Sequence, residues 1–308
     1  MRVIRVADNG QPSVLVEDNA ARPRPGRGEL LIRVRAAGVT KDELSWYPTT
    51  HQASGAPRLH AVPAHEFSGV VEETGEDVGS LELGREVFGM NDWYADGAMA
   101  EYCTAPFFAV VPKPPGLTHV EAASVPIDAL TAWQGLFDRA KVQAGERVLI
   151  QGGAGAVGIF VVQLAHLYGA RVIATASAAG ASLVSSLGAD EVIDYKSARF
   201  EDVMRDLDVV FDTVGGETLD RSWQVLRPGG RLVTVAASAE QATDPRVKEA
   251  FFIVEPNQKQ LYEIADLLQA GELRAVVGSV VPLSESPQLF GGETARCKRG
   301  KCVVEIRN

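Results

Sequence analysis

A chain of 308 residues with a net charge of −10 has no basic field with which to hold a nucleic-acid backbone. Its 46% hydrophobic and 23% charged content is that of a globular protein long enough for two domains, and no apolar run reaches the roughly 20 residues that cross a bilayer. The opening Met1-Arg2-Val3-Ile4 reads as the start of a strand, not the apolar core of a leader, and the three cysteines, Cys103, Cys297 and Cys302, are scattered and odd in number. That usage fits a reducing cytoplasm and no disulfide framework.

The first part of the chain, to about residue 125, is β-rich. Val14 to Val16, Glu29 to Val34, Gly69 to Glu72 and Glu86 to Phe88 are short β-prone runs. Gly and Pro punctuate them at Pro23 to Gly28, Pro57, Pro63 and Pro112 to Gly116, a spacing that predicts a barrel-like domain. From Ala129 the texture changes. A helix over Ala129 to Lys141 leads to a strand, Val148 to Gln151, an amphipathic helix, Ile159 to Tyr168, and a strand, Arg171 to Thr175. Then come a helix, Ala178 to Leu187, a strand, Glu191 to Ile193, a helix, Phe200 to Asp206, and strands at Val209 to Phe211 and Arg231 to Val235. Strands alternating with helices predict an α/β fold with a doubly wound parallel sheet. The tail adds a strand-like run, Phe251 to Val254, a helix, Gln258 to Ala270, and a last strand, Cys302 to Ile306. The first part lacks a closing strand, so the tail is expected to return to it. Residues 126–255 would then be an insertion between 1–125 and 256–308.

One motif carries chemistry. Val148 to Gln151 flows into Gly152-Gly153-Ala154-Gly155-Ala156-Val157-Gly158, and Gly153 to Gly158 spell G-x-G-x-x-G between a strand and a helix. In this reading Gly153 permits the tight turn, Gly155 lets a pyrophosphate approach the backbone, and Gly158 packs the helix on the strand. The phosphates meet the N–H groups of Ala156, Val157 and Gly158 at the positive end of the helix dipole.

These segments have a known setting. The chain resembles the zinc-independent quinone oxidoreductase branch of the medium-chain dehydrogenase/reductases. The resemblance rests on Gly38-Val39-Thr40, Pro63 to Val71 with His65-Glu66, Gly97 to Tyr102, Ala129 to Trp133, and the glycine motif. Asp212 to Gly216, Leu226 to Arg231 and Gly300-Lys301 extend it towards the end of the chain. It implies a GroES-like β-rich barrel joined to a Rossmann domain, and the family's homodimer. The cysteine-rich lobe of the zinc alcohol dehydrogenases is missing from Asn91 to Cys103, and Thr40, His65 and Asp128 stand where the catalytic zinc ligands would be. Threonine is a poor ligand for a site that needs three firm ones, so no metal is expected.

The nicotinamide cofactor is expected to be NADPH, with NADH second. No Asp or Glu occurs from Ile159 to Ala189 to bind a ribose 2′-hydroxyl or repel a 2′-phosphate, while Ser177, Ser182, Tyr195 and Lys196 offer donors. Helix capping is the plainer reading of Ser177 and Ser182. A lysine common in the relatives' turn is replaced by Gly180. By resemblance, Thr131 contacts the nicotinamide carboxamide, Thr213 and Val214 flank the adenine, and Ala236, Ser238, Phe252 and Ile253 flank the nicotinamide. The catalytic candidates are Thr40, Tyr47 and His65, with Glu43 and Trp46 beside them. Tyr47 or His65 would donate a hydrogen bond to the developing oxyanion of a quinone or α,β-unsaturated carbonyl. Two rival readings stay open: a metal-dependent alcohol dehydrogenase using His65 and Asp128, and an NADPH-binding protein without turnover. The expected partners are a small-molecule substrate and a second copy of the chain, with no nucleic acid and no membrane, in the cytoplasm.

Overall fold

Short β-branched runs set between glycines and prolines become strands β1 (Arg2–Val6), β2 (Leu15–Asn19), β3 (Glu29–Val39), β4 (Glu66–Thr74), β5 (Glu86–Met90), β6 (Tyr102–Pro106) and β7 (Val110–Pro112). A computed structural model describes residues 1–7, 14–79, 82–239, 242–290, 297 and 299–307. Two compact units divide it: Met1–Ile127 with Pro256–Cys297 and Lys301–Asn308, and Asp128–Glu255 with Lys298–Gly300.

In the first unit β1 and β2 form an antiparallel ribbon, and β3 to β7 form four antiparallel pairs of a larger sheet. The unit's share of the tail supplies β13 (Val277–Pro282) and β14 (Lys301–Glu305), giving the order β13-β14-β3-β4-β5-β7 with β6 paired to β3. β14 runs antiparallel to β3 with Cys302 opposite Val39, and β4 lies on the other side of β3 with Glu66 opposite Gly38. Val3, Ile4, Leu30, Ile32, Phe67, Val87, Met99 and Val304 form its dry core.

The second unit is a five-stranded parallel sheet of β8 (Arg147–Gln151), β9 (Arg171–Ala176), β10 (Glu191–Asp194), β11 (Leu207–Asp212) and β12 (Leu226–Thr234), in the order β10-β9-β8-β11-β12. The chain moves outward from β8 through β9 to β10, then returns to the far side of β8. That reversal puts a topological switch point between β8 and β11, where open α/β sheets bind ligands beyond the carboxyl ends of their strands. Leu149, Ile173, Val210, Leu232, Phe200 and Leu219 are buried together in this unit.

Several expectations need correction. The helix after Gly155 is Ala156–Leu167, and Gly158 through Ala165, Gln163 included, are all buried, so it is buried on every face and has no polar outer face. The helix foreseen over Ala129 to Lys141 is Pro126–Trp133 followed by a π-helical Gln134–Arg139. Gly135 there lies so close to Phe211 that a Cβ would sit 2.2 Å from its ring. The helix at Phe200 ends at Val203, and Asp206 takes a positive φ of 55°. Phe251 to Val254 is not a strand: only Phe251 makes an isolated bridge, to Thr234. β13 was not foreseen, because Gly278, Ser279 and Pro282 dilute its apolar pattern. Cys297 and Cys302 are joined in a disulfide, with Cα atoms 5.7 Å apart. The cysteine count therefore no longer argues for a reducing compartment.

Candidate functional site

The glycine turn follows β8 at the switch point. The positive φ, 80°, falls on Gly152, one residue before the position the motif suggested. Thr175, near the end of β9, grips the turn from both sides: its hydroxyl accepts the Gly152 N–H at 3.0 Å and its carbonyl accepts the Gly153 N–H at 2.9 Å. Gly153 is small for packing, since a Cβ would meet Ala174 Cβ at 2.9 Å. At Gly158 a Cβ would lie 2.2 Å from Gly152 O, so this glycine does bring helix and strand together.

Gly155 differs from both. Its φ of −76° is open to any residue, and an added Cβ would meet nothing nearer than Gly152 O at 3.2 Å. No side chain caps the twelve-residue helix that begins at Ala156. A glycine turn that presents backbone N–H groups at the positive end of a helix fits a pyrophosphate.

Ser177, Tyr195 and Lys196 come together because β9 and β10 pair in register. Ala176 lies opposite Asp194, and the Tyr195 N–H donates to Ala176 O at 3.3 Å. Ser177 begins the helix Ala178–Ser186, but its side chain makes no capping bond, so the capping role is not realised. Tyr195 is 59% exposed and Lys196 is exposed. Ser182 is exposed on the helix, more than a turn beyond Ser177, and is not drawn into this group. Gly180 has a steric reason: its Cβ would lie 3.0 Å from Ala154 Cβ in the glycine turn.

On the other side of the switch point, Thr213 Oγ1 donates to Gln151 O at 2.8 Å, and Val214 is exposed. Both follow Asp212, which is wholly buried. Burial pushes its carboxyl above the usual range, against the Thr234 hydroxyl and the Gly215 and Val214 N–H groups that donate to it. Gly215, at φ 75°, has no room for a side chain: a Cβ would sit 2.4 Å from Ser238 Oγ and 2.7 Å from Ala236 Cβ. Thr213, Val214, Ala236 and Ser238 thus cluster beyond β11 and β12. Phe252 is buried with Arg139 over its ring at 5.5 Å, whereas Ile253 is exposed. Thr131 is buried in the helix Pro126–Trp133.

The first unit holds the catalytic candidates. His65 and Glu43 are both buried, and Glu43 Oε1 lies 2.5 Å from His65 Nδ1. His65 Nε2 faces Ala95 O at 3.1 Å, so both ring nitrogens meet oxygens and neither is left to reach a substrate. Ala64, just before it, takes φ 70°, and its N–H donates to Glu43 Oε1 at 2.7 Å. The Arg58 guanidinium donates to Ala95 O at 2.6 Å and to Pro48 O at 2.9 Å, tying this network to the short helix Tyr47–Thr50. Tyr47 itself is 47% exposed and stacks on His51, ring centroids 4.3 Å apart. Trp46 meets Trp93 edge-on at 5.4 Å, and Trp93 lies 5.5 Å from the His65 ring. Thr40 is partly exposed and accepts a hydrogen bond from Lys301 Nζ at 3.0 Å. Lys301 in turn pairs with buried Glu66. Asp128 is buried in the second unit. Among the described residues no three of His, Cys, Asp and Glu gather into a metal-holding group. Sequence reading missed Lys301 and Arg58; in the sequence each is one cation among 30.

Residues 26–115 match the alcohol dehydrogenase GroES-like domain, and residues 187–304 match the zinc-binding dehydrogenase family. The chain is 34% identical to the 2-methylene-furan-3-one reductase of Solanum lycopersicum, over 92% of this chain and 73% of that protein. It is 33% identical to the chloroplastic NADPH-dependent alkenal/one oxidoreductase of Arabidopsis thaliana, over 97% and 78%. The structure of the quinone oxidoreductase from Coxiella burnetii superposes with a TM-score of 0.89 at 29% identity, covering 100% of this chain and 99% of that one.

Proposed function

We propose that this chain, which belongs to the quinone oxidoreductase-like branch of the medium-chain dehydrogenase/reductase superfamily, is an NADPH-dependent reductase of quinones and α,β-unsaturated carbonyls that works without zinc. The observation that carries the reading is the turn at Gly155, open to a pyrophosphate and followed by an uncapped helix. Residues 126–255 would be the dinucleotide-binding domain, and 1–125 with 256–308 the substrate domain.

Bound NADPH would supply the hydride. The chain's own residues do the rest. The N–H groups of Ala156, Val157 and Gly158, on the turn formed by Gly153 and Gly155, hold the diphosphate. Ser177, Tyr195 and Lys196 take the adenosine end, where Lys196 favours a 2′-phosphate, no acidic residue lies between Ile159 and Ala189, and the nearby Asp194 carboxylate is engaged by the Lys196 N–H; Ser182 stands farther off. Thr213 and Val214 would line the adenine, and Ala236, Ser238, Phe252 and Ile253 would flank the nicotinamide, with Thr131 for its carboxamide.

Thr40 and Tyr47 carry hydroxyl donors for the oxygen of the acceptor, on which charge develops as the hydride arrives. A conjugated carbonyl spreads that charge, so hydrogen bonds suffice. His65 is a positioning residue in this reading: Glu43 and Ala95 engage its nitrogens, which speaks against both substrate contact and zinc ligation with Asp128. The reading extends to a homodimer in the cytoplasm.

The test is oxidation of NADPH and NADH, followed by absorbance, over a panel of quinones and enones. Turnover with NADPH is expected, at higher kcat/KM than with NADH. Cofactor binding with no turnover on any acceptor would leave only the binding-protein alternative.

A further inference from the structure

Three adjacent strands bring together a group that the sequence keeps far apart. Cys302 pairs with Val39, so Lys301, one residue before Cys302, comes level with Thr40, one residue after Val39. Glu66 opens β4 opposite Gly38. Lys301 is 2% exposed and Glu66 is fully buried. The Lys301 ammonium pairs with Glu66 Oε1 and donates to Thr40 Oγ1 at 3.0 Å, while Glu66 Oε2 accepts the Ile127 N–H at 2.9 Å. The fold reserves room for this carboxylate, since a Cβ on Gly38 would lie 2.6 Å from Glu66 Oε1.

An ammonium has three donors and no acceptor. Thr40 Oγ1 must therefore accept from Lys301, and the hydroxyl proton is turned away from the cation. A cation bound to the oxygen also polarises the hydroxyl and strengthens its donation to the next acceptor. We infer that Lys301, held by Glu66, is a positioning residue that makes Thr40 the obligate hydrogen-bond donor to the carbonyl oxygen of the substrate. The inference rests on the reading given under Proposed function. As a hydride from the reduced nicotinamide adds to Cβ of an enone, a C–H bond forms and the C=C pair shifts towards the carbonyl oxygen. The α-carbon then takes its proton from water. Thr40 keeps its own proton throughout and lends only a hydrogen bond to the enolate oxygen.

A double-mutant cycle tests this in the full chain, with kcat/KM for a simple enone and NADPH. Thr40→Val is expected to lose roughly a hundredfold, the scale of one oxyanion donor, and Lys301→Met about tenfold or more by the same principle. Because Lys301 acts through Thr40, the double variant should be no worse than Thr40→Val alone. Dissociation constants for NADPH should stay within twofold of the parent, and Lys301→Arg should recover part of the rate. Where Lys301→Met fails to fold around the stranded carboxylate, Lys301→Met/Glu66→Gln replaces it and is combined with Thr40→Val in the same cycle. Losses that multiply, or a Lys301→Met enzyme as fast as the parent, would overturn the inference. A second readout needs no turnover: bound 4-nitrophenolate should show a shifted absorption band in the parent, lost in both Thr40→Val and Lys301→Met. If the parent reduces nothing but shows that shift, the proposed function fails and the donor assignment stands. If the parent shows neither, both fail.

Discussion

Glu43 Oε1 lies 2.5 Å from His65 Nδ1 and also accepts the Ala64 N–H at 2.7 Å, with both side chains shut away from solvent. Removing one partner of a buried hydrogen-bonded pair leaves the other's polar atoms unsatisfied and costs roughly 1–3 kcal/mol. His65→Ala should therefore lower the unfolding midpoint by several degrees. Tyr47→Phe should leave the midpoint in place and lower kcat/KM roughly ten- to a hundredfold, the scale of a positioned donor. Thermal melts beside steady-state kinetics check the pair. A His65→Phe variant that stays fully stable yet inactive would return His65 to the chemistry.

Two glycines of one motif should fail differently. Gly155→Val takes a φ that valine accepts and brings its Cβ only to 3.2 Å from Gly152 O, so dinucleotide affinity should fall sharply while the circular dichroism spectrum is kept and the melting point moves little. Gly158→Val drives a Cβ towards Gly152 O, 2.2 Å away, and should destabilise the fold itself. Unchanged cofactor affinity in Gly155→Val would refute the phosphate assignment.

Cofactor preference should reside in the end of β10. Lys196→Ala is expected to weaken NADPH by about 1 kcal/mol, the lower side of a charge-assisted bond because Lys196 is exposed, and to leave NADH unaffected. Ser177→Ala should add a smaller loss of the same kind. Titrations of both cofactors decide it, and a parent that binds the two equally would end the argument.

Acid should loosen the sheet at the other end of its strands. Glu146 faces Arg231 at 2.5 Å, and Asp208 accepts the Arg147 N–H at 2.8 Å and the Arg227 side chain at 2.5 Å. Burial pushes both carboxyls up, but these donors outweigh it and hold them below their ordinary values of 4.5 and 3.8. A carboxyl depressed in the folded state adds stability above its unfolded pKa and loses it as pH falls through the folded one. The unfolding midpoint should therefore drop steadily below about pH 4.5. Glu146→Gln should be less stable at neutral pH and show a shallower acid slope.

Chelation should leave turnover intact. Thr40 Oγ1 is bonded to Lys301 and both His65 nitrogens are engaged, which leaves Asp128 a poor start for a zinc site. Enzyme dialysed against a chelator is expected to keep its activity, with elemental analysis showing sub-stoichiometric zinc. Activity lost on chelation and restored by zinc would move the chain to the alcohol dehydrogenase reading.

What the sequence disclosed is local and periodic. The glycine turn and the strands β8, β9 and β11 are signalled within a few residues, by apolar runs and turn chemistry. What it concealed depends on register between distant strands. Nothing near Thr40 announces Lys301, which lies 261 residues away and meets it only because β14 pairs with β3. Nothing near His65 shows that Glu43 and Ala95 would take both of its nitrogens. Even at the motif, the positive φ falls on Gly152, just before it, and not on Gly153, since pattern matching counts glycines without weighing what each one touches.

Gly180 sets a limit on redesign. A longer residue at this position would first have to move Ala154, 3.0 Å from the site of its Cβ. That turn is anchored on Thr175 through the Gly152 and Gly153 N–H groups, so it has little freedom to retreat. A cation grafted here would press on the glycine turn while trying to add a contact beside it. An engineer wishing to sharpen or reverse the cofactor choice of this enzyme should leave the β9 turn alone and rebuild positions 195 and 196, where exposed side chains can be exchanged without disturbing the glycines.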